Sequence, residues 1–217
     1  MNRGIIVTGG GHGIGRQICM DFLQAGDKVC FIDKDEMRSA EFAKMHDNLF
    51  FYHGDVADPE TLKKFADFAM EKLERIDVLV NNACTGVKGI LSDLSYEEFD
   101  YTLSVGLKAP YELSRLCKDE LKRNKGRIIN IASTRAFQSE PDSEAYASTK
   151  GGIVALTHAL AMSLAPDVLV NCIAPGWINV TGQQEFSHED LAAIPAGKVG
   201  TPKDISDMVM FLCEHDF

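Results

Sequence analysis

Tyr146 and Lys150 stand four residues apart in the segment SEAYASTKGG, Ser143 to Gly152. If this segment is helical, both side chains lie on one face of the helix, one turn apart. Two interpretations then compete. The pair is an exposed neighbour pair on a helix surface, or it is a phenol whose proton becomes labile because a nearby ammonium lowers the phenol pKa. For an isolated pair, the first interpretation is the more common one.

A serine supports the second interpretation because of its place in the chain. Ser133 ends the apolar segment GRIINIAS and precedes Tyr146 by thirteen residues. At the carboxyl end of a strand, its hydroxyl could donate a hydrogen bond to a carbonyl oxygen while Tyr146 protonates that oxygen. A cap on a helix or turn is the other role open to such a serine. Ser133, Tyr146 and Lys150 are therefore the candidate catalytic residues.

Short apolar segments alternate with longer segments of helical period along the chain. The apolar segments are GIIVTG, KVCFID, NLFFYH, IDVLVNN, GRIINIAS and VLVNCIAP. Candidate helices lie near residues 13–25, 36–44, 59–75, 96–123 and 146–164, with a last one in PKDISDMVMFLCEHDF. Continuous Val, Ile and Leu character is typical of strands that are buried on both faces of a parallel sheet. The alternation predicts a Rossmann-type α/β fold, a doubly wound parallel sheet between two helical layers, as one domain over residues 1–217.

Three of the predicted helices begin with recognisable capping signals. Asp58-Pro59 offers an N-cap and a first-turn proline, Ser95 with Glu98 matches a capping box, and Thr201-Pro202 opens the last helix. These signals fix where the third, fourth and last helices are expected to start.

The glycine-rich segment TGGGHGIG joins the first strand to the first helix. Glycines at such a junction let the backbone turn sharply and approach a pyrophosphate, which the N–H groups at the helix N-terminus then bind. A plain glycine-rich turn is the alternative, but doubly wound sheets hold a dinucleotide at this junction. The predicted cofactor-binding residues in this segment are Gly9, Gly13, Ile14 and Gly15.

Asp33 ends the second predicted strand. A carboxylate there can accept hydrogen bonds from both hydroxyls of the adenosine ribose and would repel a 2′-phosphate, so NAD is favoured over NADP. An exposed loop aspartate is the simpler interpretation of the same residue. NADP also stays open as the cofactor, because four cations lie nearby in the sequence: His12, Arg16, Lys34 and Arg38.

Further cofactor candidates follow the other predicted strands. Asp55 could accept a hydrogen bond from an adenine amino group while Val56 packs on the adenine ring. The segment APGWIN offers a rigid turn against one face of a planar ring. Each candidate is weak alone, because turns use the same residue types, but all lie at the carboxyl ends of strands. The set is Asp55, Val56, Asn82, Ala83, Pro175, Gly176 and Ile178, together with Tyr146 and Lys150.

The composition restricts the partners of the chain. Its 217 residues are 45% hydrophobic and 25% charged, which is ordinary for a soluble globular protein. A formal net charge of −10 argues against a nucleic acid or an anionic membrane as partner, because both favour a basic face. The six cysteines have neither a CxxC pair nor zinc-binding spacing, so we expect reduced thiols, no metal site and a cytoplasmic location. No signal segment or membrane-spanning run is predicted.

Taken together and in this order, the motifs resemble those of the short-chain dehydrogenase/reductase family. That family is marked by T-G-x-x-x-G-x-G, N-N-A-G, a serine, Y-x-x-x-K and a P-G turn; here they read TGGGHGIG, NNAC, Ser133, YASTK and PG. The resemblance spans essentially the whole chain. It implies that Tyr146 is the general acid/base, that Ser133 positions and polarises the substrate oxygen, and that Lys150 binds the nicotinamide ribose and lowers the Tyr146 pKa. The implied reaction is metal-free hydride transfer between NAD(H) and a small secondary alcohol or its carbonyl partner.

Two departures from the family pattern concern the site. Cys84 stands where the family has the glycine of N-N-A-G, which adds a small side chain near the cofactor. Gly106 stands where family members usually have the asparagine of a catalytic tetrad, at a helix kink that holds a relay water. Glycine could preserve the kink while losing the side chain. The alternative function is therefore a weak or silent NAD-binding protein, a redox sensor or scaffold with an incomplete proton relay at Gly106.

The substrate loop of the family corresponds to about residues 178–194. This stretch is short and contains no Arg or Lys that could hold a carboxylate or phosphate, so it predicts an open pocket without a charge code. The family's threonine near the nicotinamide amide usually falls at Val180, and Thr181 comes one place later. The side chains considered for the loop are Gln183, Gln184, Phe186 and His188.

The assembly predicted from the sequence is a homodimer. The helix after Tyr146 is apolar or small on nearly every face, so one face should cover the sheet and another should meet a partner. We expect contact through the two long helices, about 96–123 and 146–164. A fully buried helix in a monomer is the alternative. The seventh strand that closes the sheet in relatives is not expected in this chain.

Overall fold

A computed structural model describes residues 2–86, 88–183 and 185–216 of the chain. Its strands are β1 (Gly4–Thr8), β2 (Lys28–Asp33), β3 (Leu49–His53), β4 (Val78–Asn81), β5 (Arg127–Ile131) and β6 (Leu169–Ile173). They form one parallel sheet in the order β3-β2-β1-β4-β5-β6. Because β1 pairs with β2 on one side and with β4 on the other, the winding reverses between β1 and β4. Open α/β sheets bind ligands outside the strand carboxyl ends at such a reversal.

Helices cover both faces of the sheet, so the predicted doubly wound α/β fold is confirmed. They are α1 (Gly13–Gln24), α2 (Glu36–Ala43), α3 (Pro59–Leu73), α4 (Tyr96–Leu103), α5 (Ala109–Arg123), α6 (Glu144–Leu164), α7 (His188–Ala192) and α8 (Pro202–Glu214). Within the described ranges, none of these helices combines the length and apolar character that crossing a membrane would require.

The strand residues alternate between two hydrophobic cores. Ile5 and Val7 of β1 join the core that contains residues of α1, α2 and α8, whereas Ile6 joins the core on the side of α3, α5 and α6. All three side chains have no exposed surface. Because both faces are buried in this way, the strands read as continuous apolar runs in the sequence.

The three predicted capping signals are present. Asp58 accepts hydrogen bonds from the backbone N–H groups of Glu60 and Thr61 at the start of α3. Ser95 and Glu98 form a reciprocal capping box at α4, and Thr201 forms one with the third helical residue of α8. Each cap satisfies N–H groups that have no partner inside the helix. The starts of these three helices could therefore be predicted from the local sequence.

The helix predicted over residues 96–123 is not continuous, and this prediction was wrong in that respect. A π-helical segment at Ser104–Lys108, centred on Gly106, separates α4 from α5. A Cβ at Gly106 would lie 2.2 Å from Cγ2 of Thr149 on α6. The distortion expected at Gly106 therefore exists, and the space that a side chain at this position would need is taken by a residue that is remote in sequence.

Candidate active site

A cavity of about 340 Å³ opens at the carboxyl ends of β1 and β4, where the winding reverses. Its lining includes eight of the residues predicted for a cofactor: Gly9, Gly13, Ile14, Asp33, Asp55, Val56, Asn82 and Ala83. Its other lining residues are His12, Ile32, Lys34, Gly54, Cys84, Thr85, Tyr101, Val105 and Val180. The topology thus gathers segments that lie far apart in the chain around one cavity.

The glycine-rich loop forms a cradle that side chains would fill. Gly9 and Gly13 have φ angles of +67° and +53°, in the left-handed region that favours glycine. Gly15 does not line the cavity; a Cβ there would lie 2.1 Å from the carbonyl oxygen of Gly9, so its role is to let α1 start close to β1. No side chain caps α1 at His12. The first-turn N–H groups and the positive end of the helix dipole therefore fit a pyrophosphate.

Asn82 fixes this cradle to the end of β4. Its Nδ2 donates to the carbonyl oxygens of Thr8 and Gly9 at 3.0 and 3.1 Å. In return, the Thr8 hydroxyl oxygen accepts from the backbone N–H groups of Asn82 and Ala83, both at 3.0 Å. The amide of Asn82 is thus committed to the backbone, and it positions the loop that surrounds the cavity.

Two carboxylates lie in one part of the cavity lining, which we call the carboxylate end; it comprises Asp33, Lys34, Asp55, Val56 and Tyr101. Asp33 accepts from the Gly11 backbone N–H at 2.9 Å, so it also holds the glycine-rich loop. Asp55 accepts from the Ala57 N–H at 2.9 Å through Oδ1 and from the Tyr101 hydroxyl at 2.7 Å through Oδ2.

Sequence reasoning missed Tyr101. Its hydroxyl bonds to Asp55, and the Lys34 ammonium donates to the same hydroxyl at 3.4 Å. These three residues are separated by 46 and 67 positions along the chain. No spacing rule connects such residues, so no local signal could have found the contact.

The three candidate catalytic residues converge next to the cavity. Ser133 is buried, and its Oγ accepts from the backbone N–H of Arg135 at 3.2 Å. It therefore caps a short turn, as the simpler interpretation required, and its side chain is also near enough to Tyr146 to lower the pKa of the phenol. Lys150 is 2% exposed; its Nζ donates to the Ile131 carbonyl oxygen at 2.8 Å and lies 5.3 Å from the Tyr146 ring centroid.

Several groups shift the pKa of Tyr146. Burial, the largest cause, and the nearby Cys84 side chain raise it, while the Ser133 side chain and the charge of Arg135 act to lower it. Burial also lowers the pKa of Lys150. In this structure the Lys150 ammonium is itself desolvated and bound to a carbonyl oxygen, and it is not among the groups that shift the Tyr146 pKa. That Lys150 lowers this pKa stays a prediction.

Arg135 is a second residue that sequence reasoning missed. It follows Ser133 by two positions, its side chain is 17% exposed, and it forms an ion pair with Glu140. It is the cation whose charge lowers the Tyr146 pKa. A search for cations confined to residues 178–194 could not find it, because it lies on the turn that follows β5.

The predicted turn after β6 packs beside the catalytic segment and not against the cavity. The Pro175 carbonyl oxygen accepts from the Thr134 N–H at 2.9 Å, and a Cβ on Gly176 would meet no atom within 4 Å. Ile178 pairs with Gly200 in an isolated parallel bridge. Pro175, Gly176 and Ile178 are thus adjacent to the catalytic residues or to the loop base, and they do not line the described cavity.

Val180, and not Thr181, reaches the cavity from the substrate loop. The Val180 Cβ would lie 3.2 Å from a Cβ at Gly13. The Thr181 hydroxyl oxygen accepts from the Gln183 N–H at 3.2 Å and lines a separate hollow. The loop therefore does not bring Thr181 into the position where the family has its threonine; Val180 occupies that position. The loop also carries α7, and Gln184 lies outside the described residues.

A contact between two loops fixes the segment that precedes α6. Asp142 accepts from the backbone N–H groups of Leu91 and Ser92 at 2.8 and 2.9 Å, and from the Ser92 hydroxyl. These hydrogen bonds, with that of the Ser92 hydroxyl the largest, lower the pKa of Asp142. The carboxylate thus ties the segment after β4 to the segment before Tyr146.

We expect this contact to make stability depend on pH. Because the folded pKa of Asp142 lies below the unfolded value of about 4, its contribution is complete above that value and is lost as the pH falls. Asp142→Asn should reduce the free energy of unfolding at pH 7 and flatten its decline in acid, measured by urea denaturation. Asp93→Asn is the matched control, since both residues have positive φ. An equal effect of both substitutions would contradict the assignment.

The described part of the chain contains no group of three or more His, Cys, Asp or Glu side chains suited to a metal ion. What the arrangement offers is a candidate acid–base residue beside a cavity lined by a glycine-rich loop. Tyr146 can exchange a proton with an oxygen held by Ser133, and the glycine cradle with the uncapped α1 can bind phosphate groups.

Comparison with known proteins decides the family. The family model described as short chain dehydrogenase matches residues 3–191. The chain belongs to the short-chain dehydrogenase/reductase family. An "Uncharacterized oxidoreductase" of Thermotoga maritima is 42% identical to this short-chain dehydrogenase/reductase over 226 aligned positions, covering 97% of this chain and 88% of the relative.

Solved structures agree with this assignment. An apo SCOR enzyme from Clostridium thermocellum is 82% identical, with a TM-score of 0.96 over 100% of this chain and 88% of its own. A 3-ketoacyl-(acyl-carrier-protein) reductase from Brucella melitensis with NADH is 29% identical, with a TM-score of 0.90 and coverage of 97% and 90%. ElxO with NADP bound is 28% identical, with a TM-score of 0.90 and coverage of 100% and 93%. This short-chain dehydrogenase/reductase therefore belongs to a family of NAD(P)-binding oxidoreductases.

Proposed function

We propose that this protein is an NAD(H)-dependent oxidoreductase that interconverts a small secondary alcohol and its carbonyl partner. The observation that carries the proposal is the placement of the Tyr146 phenol, which lies close enough to the Ser133 side chain for Ser133 to lower its pKa and has the Lys150 ammonium 5.3 Å from its ring centroid. These groups stand at the carboxyl edge of the sheet, next to the cavity whose glycine cradle fits a pyrophosphate.

In the proposed mechanism, Ser133, Tyr146 and Lys150 act on the oxygen atom of the substrate. In the direction of reduction, Ser133 donates a hydrogen bond to the carbonyl oxygen, and Tyr146 gives that oxygen its phenolic proton. Lys150 stabilises the phenolate that forms, because its positive charge lies close to the ring. In oxidation the same groups act in reverse, with Tyr146 accepting the proton of the alcohol. The bound nicotinamide supplies or accepts the hydride.

The proposed binding residues follow the cavity from end to end. Gly9, Gly13 and the N-terminus of α1 would hold the pyrophosphate. Asp33 would accept from the ribose hydroxyls, and Asp55 with Val56 would hold the adenine. Asn82, Ala83, Lys150, Pro175, Gly176 and Ile178 are proposed for the nicotinamide half. The carboxylate of Asp33 is the reason for preferring NAD to NADP, since a 2′-phosphate there would meet a negative charge.

The test of the proposed reaction is a screen of secondary alcohols and ketones for a change in NADH absorbance. For any active pair, reduction with NADH deuterated at nicotinamide C4 should transfer deuterium to the carbinol carbon of the product, detected by mass spectrometry. Deuterium that appears only in the solvent would reject direct hydride transfer. Tight NADH binding without turnover on any pair would favour the silent NAD-binding protein.

Replacement of Arg135 by glutamine should move the pH dependence of oxidation upward. The guanidinium charge lowers the pKa of Tyr146, so its removal raises that pKa, and a higher pH is then needed to form the phenolate. The measurement is the pH at which the rate of alcohol oxidation reaches half its maximum. Arg115→Gln is the control, because Arg115 also pairs with a carboxylate but lies on α5. A downward shift, or no shift, would exclude Arg135 as the relevant cation.

We further propose a homodimer through α5 and α6. The outer faces of these helices carry exposed apolar side chains, including Tyr111 and Met162, and α6 is apolar on most faces. Burial of these side chains against a second copy would remove apolar surface from water.

A further inference from the structure

The carboxylate end of the cavity contains a lysine whose ammonium contacts a tyrosine. Lys34 follows Asp33 directly, so it is the cation nearest in sequence to the carboxylate that should meet the adenosine ribose. Within the described residues the Lys34 ammonium forms no ion pair. Its contacts are with Tyr101: a hydrogen bond of 3.4 Å to the hydroxyl and a distance of 5.7 Å to the ring centroid.

Tyr101 is itself held in place from the other side. Its hydroxyl donates to Asp55 Oδ2 at 2.7 Å, and Asp55 Oδ1 accepts from the Ala57 N–H at 2.9 Å. A hydroxyl has one proton, so the bond to Asp55 leaves the oxygen lone pairs directed to other donors, and the ammonium uses one of them. The order of contacts is thus Lys34 to Tyr101 to Asp55, across the ends of β2 and β3 and the side of α4.

This arrangement bears on the choice between NAD and NADP. A 2′-phosphate would bring negative charge close to Asp33, and a free lysine ammonium next to that residue is the group that could compensate it. Tied to Tyr101, the ammonium lies toward Asp55 and has to break its contacts before it can meet a phosphate. The hydrogen bond between Lys34 and Tyr101 is exposed and long, so its effect on a dissociation constant should be that of a surface contact, about two- to fivefold.

We propose that Tyr101 favours NAD over NADP by holding Lys34 away from the position of a 2′-phosphate. The inference rests on the proposed binding of NAD through Asp33 and adds a residue to it. Removing the Tyr101 hydroxyl should free Lys34 and improve the binding of 2′-phosphorylated ligands relative to unphosphorylated ones. Because that hydroxyl also bonds to Asp55, the adenine contact should change for both ligands alike.

Calorimetric titration with ADP-ribose and 2′-phospho-ADP-ribose tests this without any turnover. The quantity measured is the ratio of the two dissociation constants, 2′-phosphorylated over unphosphorylated. In Tyr101→Phe this ratio should fall by about two- to fivefold, the range that a surface charge contact supplies. The ring remains in this variant, so the packing around α4 is retained. Tyr96→Phe, at an exposed position of the same helix, should leave the ratio unchanged.

A double-mutant cycle with Lys34→Met assigns the cation. If Lys34 is responsible, Tyr101→Phe should no longer change the ratio in the Lys34→Met background. An unchanged ratio in the single Tyr101→Phe variant overturns the proposal. A fall that persists without Lys34 also overturns it and points to Arg16 or Arg38. Failure of the wild-type chain to bind either probe would instead reject the cofactor site on which the inference rests.

Discussion

Tyr146→Phe is expected to lower the turnover rate by about 10²–10⁴-fold, the range that general acid–base catalysis supplies. The substitution removes only the hydroxyl that exchanges the proton. The ring that lies 5.3 Å from the Lys150 ammonium remains, so the packing of α6 should not change. The measurement is the rate of NADH oxidation with an active ketone, together with the dissociation constant of NADH by fluorescence.

The binding measurement separates catalysis from folding. NADH affinity should stay within about tenfold of wild type, because a hydrogen bond to one hydroxyl contributes about 0.5–1.5 kcal/mol. Tyr96→Phe, at an exposed position of α4, is the matched control and should leave both quantities unchanged. Nearly full activity of Tyr146→Phe would mean that another group moves the proton, and the proposed mechanism would be abandoned.

Gly106→Asn should destabilise the protein instead of simply restoring a proton relay. The added Cβ would lie 2.2 Å from Cγ2 of Thr149, and the Thr149 hydroxyl donates to the Ala145 carbonyl oxygen at 2.9 Å. The methyl group cannot rotate away without breaking that bond. Overpacking of this kind costs about 1–3 kcal/mol. Because Thr149 precedes Lys150, a shift of α6 should also slow catalysis.

The companion substitution Thr149→Ser makes this prediction specific. Serine keeps the hydroxyl and removes the methyl group, so Gly106→Asn should cost much less in the Thr149→Ser background. Urea denaturation of the four proteins should give a coupling free energy of about 1 kcal/mol or more in the stabilising direction. Gly151→Asn is the control, since a Cβ there meets no atom within 4 Å. A coupling near zero would show that residue 106 tolerates a side chain.

The double variant also addresses the alternative function. If asparagine at position 106 supplies a missing relay, the Gly106→Asn/Thr149→Ser protein should have a faster proton-limited step and unchanged NADH affinity. The solvent isotope effect on the turnover rate should fall toward that of hydride transfer alone. A wild-type rate that already shows no solvent isotope effect would mean that the relay is complete without the asparagine side chain.

Local patterns carried much of the fold and part of the site. Continuous apolar segments predicted all six strands, because strands buried on both faces require them. Capping residues located the starts of α3, α4 and α8, since a cap acts within three or four residues. The place of the glycine-rich loop and of Asp33 beside the cavity could also be predicted locally, because both stand at a strand end. At residues 96–123 the sequence pattern was purely helical and did not reveal the π-helical segment, in which Gly106 packs against Thr149. A kink at Gly106 was expected only from the family resemblance.

What the sequence by itself determined is the sheet, its carboxyl edge and the Ser133, Tyr146 and Lys150 set that this edge brings together. Only the tertiary structure decided the environment of each group. The contact of Tyr101 with Lys34 and Asp55, the charge of Arg135 near Tyr146, and the closeness of Thr149 to Gly106 each join different elements. Burial and charge act through space, so a pKa or a steric limit follows from neighbours that no spacing along the chain reveals.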